Sequence, residues 1–61
     1  MYMLTDEPEG SGALATAFRA LDNAFGTEEF AREDAAITLS QAGVSGNAFD
    51  KLVSGGYVSE V

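Results

Sequence analysis

Ala42-Gly43-Val44-Ser45-Gly46-Asn47-Ala48-Phe49-Asp50-Lys51-Leu52-Val53-Ser54-Gly55-Gly56-Tyr57-Val58 is the stretch whose reading decides the fold. Gly43-Val44-Ser45 forms a tight connection between two apolar segments. Ser45 is a natural N-cap, because its hydroxyl can accept a backbone N–H from the first turn of a following helix. That helix is expected over Gly46–Ser54, with Ala48 or Phe49, Leu52 and Val53 as its buried stripe. Gly55-Gly56 ends it by supplying the left-handed backbone that side chains with a Cβ resist. Tyr57 to Val61 is aromatic and β-branched, which predicts a terminal strand.

Two further helices precede this stretch. One is expected from about Arg32 to Ala42, with Ala35, Ala36, Leu39 and Ala42 inward. The other rests on Leu14, Ala17, Phe18, Leu21, Ala24 and Phe25, which follow the i, i+3, i+4, i+7 spacing of one helical stripe. Ser11 can cap its start, and Gly26 stands where a C′ glycine does. Thr27 to Phe30 has two readings: a short strand with Phe30 inward, or a first helical turn capped by Thr27 with Glu28 and Glu29 near the positive dipole end. Thr5 to Gly12 is acidic, holds the only proline, Pro8, and reads as a linker. Met1 to Leu4 is apolar, and a mobile terminus is favoured there over a short strand. The organisation expected is an acidic arm over 1–10 and one domain over 11–61. Its class is mainly α (α+β): three helices with one or two short strands.

Two helices joined by a glycine turn, with a strand after the second, make a helix-turn-helix that opens into a wing. Counted from Gly43, apolar residues fall at Ala42, Val44, Phe49 and Leu52, positions that hold such helices at a steep angle. The runs Glu29-Phe30-Ala31-Arg32-Glu33-Asp34-Ala35, Ala42-Gly43-Val44-Ser45 and Phe49 through Val58 together resemble the winged-helix superfamily over Leu14 to Val61. The resemblance implies a short strand leading into the second helix and a leucine-x-x-glycine step into the wing. It also implies a third helix offered to DNA, with Ser45, Asn47 and Lys51 as the candidate contacts. The chain departs from the pattern in having one terminal strand where a hairpin is usual, and a short third helix.

Charge argues against the DNA role. Ten acids stand against Arg19, Arg32 and Lys51, for a net charge of −7. From Ser11 onward seven acids and three bases remain, so the folded part is itself at −4. Such a surface repels phosphate at ordinary ionic strength, and Asp50 beside Lys51 adds to this. The abundance of acids also resembles haloarchaeal composition, and in molar salt screening acts within about 3 Å. Other readings are bounded by what the chain lacks. With no cysteine or histidine there is no disulfide, and no thiolate or imidazole metal site. A general base would have to be a carboxylate or Lys51. The pairs Glu28-Glu29 and Glu33-Asp34 are adjacent and do not face each other on a helix. Neither an enzyme nor a cofactor is expected, and no small-molecule substrate. No apolar run approaches the roughly 20 residues of a membrane span, and no signal peptide is evident. A soluble cytoplasmic protein follows as the expectation.

A chain of 61 residues buries only about 60% of its unfolded surface. Phe18, Phe25, Phe30 and Phe49 are therefore read as core, not as a ligand pocket. So marginal a core favours borrowing burial from a second copy. The function expected is a protein-interaction module, with Tyr57 and Val61 on an open strand edge, together with Met1 to Leu4, as candidate contacts to a protein partner or in a homodimer. DNA binding through Ser45, Asn47 and Lys51 is the alternative.

Overall fold

The computed structural model describes residues 1–10 and 12–61; the expected cap Ser11 lies outside the described residues. The elements follow the order β1 (Tyr2–Leu4), α1 (Ala13–Phe25), α2 (Arg32–Gln41), α3 (Asn47–Ser54) and β2 (Val58–Glu60). β1 and β2 pair antiparallel, with Leu4 opposite Val58 and Tyr2 opposite Glu60. Three helices on a two-stranded sheet make a small α+β domain, as the sequence predicts.

The glycine steps work by local hydrogen bonding. At the end of α2, Val44 N–H donates to Leu39 O at 2.9 Å and Gly43 N–H to Ser40 O at 3.1 Å, with Gly43 at φ 75°. At the end of α3, Tyr57 N–H donates to Leu52 O at 2.9 Å and Gly56 N–H to Val53 O at 3.1 Å, with Gly56 at φ 82°. Both are Schellman stops, which satisfy orphan carbonyls and set the next apolar residue against the last turn. This is why an apolar residue follows each glycine. α3 begins one residue later than expected, at Asn47. Ser45 still serves its start, since its Oγ accepts Asn47 N–H at 3.3 Å.

The core is built from Ala17, Phe18, Leu21, Phe30, Ala35, Leu39, Ala48, Phe49, Leu52 and Val58. Phe30 is its centre. It stacks on Phe25 at 4.7 Å between centroids and meets Phe49 edge-on at 6.4 Å. Of the two readings of Thr27–Phe30, the extended one holds at a single point: Phe30 bridges Tyr2, and α2 starts only at Arg32. Three expected inward alanines are exposed: Ala24, Ala36 and Ala42. Ala36 lies about 100° round the helix from Ala35. Ala42 lies past the last helical residue of α2, and Ala24 falls in the last turn of α1 at the margin of the stripe. Ala15, not expected inside, is 1% exposed.

The largest correction concerns the N-terminus. Tyr2–Leu4 is a strand, not a loose end. It lies between Phe30 and β2, exchanging two 2.8 Å bonds between Tyr2 and Phe30 on one side. On the other side Thr5 N–H donates to Tyr57 O at 2.8 Å and Val61 N–H to Met1 O at 2.9 Å. The Tyr2 ring stands edge-on to Phe49 at 5.0 Å. Further along, Pro8 is buried while Asp6, Glu7 and Glu9 remain exposed. The expected open edge of the terminal strand is correspondingly reduced. β1 takes one side of β2, and Val58 is 1% exposed.

Candidate functional site

Two surfaces stand out, and they divide the candidate residues between them. The first is a half-open groove of about 460 Å³. Its walls come from four parts of the chain: Pro8 and Glu9, the first turn of α1 around Leu14, the turn at Val44-Ser45, and the Asn47–Lys51 face of α3. Tyr57 also lines it. Ser45, Asn47 and Lys51 are thus brought together, as the helical spacing of Asn47 and Lys51 requires, one turn apart on α3. All three are exposed. Tyr57 joins them because the Schellman stop turns it back beside α3. Its ring closes over Gly55, where an added Cβ would sit 2.7 Å from the nearest ring carbon.

The electrostatics of α3 differ from the expectation in one respect. Asp50, read as a charge that repels phosphate beside Lys51, is engaged by Arg32 at the start of α2. The guanidinium also lies 5.3 Å from the centroid of the Phe49 ring, in cation–π contact. Its pKa is raised above the ordinary arginine value, first by the hydrogen bond to Asp50 and then by Tyr2. Both partners are more than half exposed, so the pair orients the side chains without anchoring the fold. Lys51 forms no ion pair among the described residues.

The second surface is the outer face of the sheet. Successive side chains of a strand alternate between faces, so Tyr2 and Leu4 turn to the core and Met1 and Met3 turn away. Val61 N–H bonds to Met1 O, which sets Val61 beside Met1. Met1, Met3 and Val61 are 56%, 39% and 63% exposed. The sequence offered Val61 together with the whole of Met1 to Leu4, and the structure singles out Met1 and Met3 within that segment. The sequence also paired Val61 with Tyr57, and the structure separates them, Tyr57 to the groove and Val61 to the sheet face. Which face each side chain takes follows from the pairing of β1 with β2, a strand at the other end of the chain.

The acid pairs Glu28-Glu29 and Glu33-Asp34 are exposed. No cluster of three metal-ligating side chains occurs among the described residues. No helix of the described residues is long and apolar enough to cross a membrane. No family model matches the chain, and no curated protein or solved structure matches it.

Proposed function

We propose that the chain is a non-enzymatic interaction module on a winged-helix-like scaffold, which associates with a second copy through the outer face of its sheet. The observation that carries this reading is the cluster of Met1, Met3 and Val61, three large apolar side chains exposed side by side. On a surface otherwise rich in acids, such a patch gains by being covered. Methionine suits the role, since its flexible thioether adapts to a partner's relief. Charge opposes it, because two copies at −7 repel. Self-association should therefore strengthen as KCl rises and screening shortens.

Sedimentation equilibrium and thermal melting across a hundredfold range of protein concentration test this. The melting temperature is expected to rise with concentration in 2 M KCl. Met3→Glu should abolish the rise without unfolding the monomer, since Met3 faces solvent. A protein that stays monomeric throughout that range defeats the reading.

DNA binding by α3 remains as a second reading, favoured by the convergence of Ser45, Asn47 and Lys51 and by the engagement of Asp50 with Arg32. Fold likeness alone does not establish it. Titration of a labelled duplex at 50 mM and 2 M KCl should show anisotropy changes that Lys51→Ala removes. Flat traces at both salts end the idea.

A further inference from the structure

The groove carries an inference independent of the sheet face, with which it shares no residue. The geometry points to a binding site for a small monoanionic ligand with an apolar body, such as an aliphatic or aromatic carboxylate. Four observations meet there. Its volume, about 460 Å³, falls within the roughly 300–1,000 Å³ typical of small-molecule sites. Its walls are mainly apolar, from Pro8, Leu14, Val44, Ala48 and the Tyr57 ring, with a few polar groups between them. Those polar groups are of the kind that fix an oxyanion: the Lys51 ammonium, the Asn47 amide and the Ser45 hydroxyl. Lys51 has no acid partner among the described residues, although the chain holds ten acids.

Charge selects among anions. Lys51 is the one cation on the lining, and Glu9 stands on the N-terminal wall of the same groove. One negative charge is complemented by Lys51, while a second would meet Glu9 and the field of a chain at −7. A phosphate-rich polymer or a diphosphate is therefore disfavoured relative to a single carboxylate. The apolar walls take the rest of the ligand, which leaves Lys51 as the source of selectivity and the burial as the source of affinity. Nothing in the groove performs chemistry on what it holds. The ligand is an effector in this account, not a substrate.

The test uses the full chain labelled with ¹⁵N and three probes: 4-phenylbutyrate, the uncharged 4-phenylbutan-1-ol and inorganic pyrophosphate. Phenylbutyrate is expected to shift the amides of Leu14, Val44, Ser45, Ala48 and Lys51 and to saturate with a Kd of about 1 mM or below. The alcohol should bind at least about tenfold more weakly, the loss expected for one charged hydrogen bond. Lys51→Met should weaken phenylbutyrate by a similar factor and leave the alcohol unchanged. Glu9→Gln should tighten it a few-fold. Lys51 and Glu9 are both exposed, and the same spectra report whether each variant keeps its fold. The inference is overturned if the alcohol binds as well as the acid, if pyrophosphate binds better than both, or if no probe saturates by 20 mM. Its failure leaves the sheet-face reading untouched, since Met3→Glu does not enter the groove.

Discussion

Phe30→Ala is expected to leave the domain unfolded at 25 °C. Phe30 is 2% exposed and is the largest fully buried side chain. It touches the rings of both Phe25 and Phe49, and its backbone bridges Tyr2. Truncating a buried phenylalanine costs about 3–5 kcal/mol, from lost transfer energy and the cavity left behind. The whole stability of a chain this long is of the order of 3–9 kcal/mol. A cavity at the centre of so small a core has few neighbours that can close it. Phe30→Leu retains most of the volume and should fold with a lowered melting temperature. Circular dichroism and amide dispersion read both variants. A cooperative Phe30→Ala melt within 10 °C of the parent would place the energetic centre elsewhere.

Deletion of Met1–Leu4 has an effect of similar size. A mobile arm can be removed at little cost. Here the deletion removes Tyr2 from Phe49, Leu4 from the core margin and the strand that lies between Phe30 and β2. Burial of an aromatic and a leucine side chain contributes about 1.5–3 kcal/mol each when complete. Both are half-buried, so roughly 1.5–3 kcal/mol is lost from the side chains. The freed backbone groups of Phe30 add to that. Denaturant unfolding should show the truncated chain at or beyond its midpoint in water, or folded only at low temperature. A stability change below about 0.5 kcal/mol would restore the arm.

A rearranged chain separates topology from content. Val61 N–H and Met1 O are already hydrogen-bonded at 2.9 Å. Joining Val61 to Met1 through a two-residue Asn-Gly turn, and opening the chain after Pro8, should therefore preserve the fold. The joined strands would then form a hairpin after α3, and circular dichroism and thermal melting like those of the parent are the expected result.

What was legible in the sequence was legible because its causes are local. The Schellman stops at Gly43 and Gly56 span six residues, and the stripe of α1 repeats every turn. The N-cap of α3 is Gly46 where the sequence predicts Ser45, and Ser45 supports the helix start only through its hydroxyl, which accepts Asn47 N–H two residues away. These features lie within one helical turn or its end, so residue order displays them directly. The misreadings share the opposite property. Ala36 and Ala42 looked inward because alanine is compatible with either face, and only the packing of α2 chooses. Met1–Leu4 looked mobile because the strand that holds it begins at Val58. The groove gathers Pro8, Leu14, Ser45 and Lys51, and no spacing rule links these four.

By itself, then, the sequence determined three helices, their stops, the aromatic core and the absence of histidine and cysteine chemistry. Short-range sterics and hydrogen bonding set all of these. Only the tertiary structure decided that the first strand pairs with the last, that Asp50 belongs to Arg32, and that Tyr57 turns toward Lys51 while Val61 joins the methionines. Each of those contacts, apart from the turn of Tyr57 that the local stop at Gly56 makes, closes a long loop of chain. Its formation depends on the folded core bringing distant residues together, and no local pattern records it.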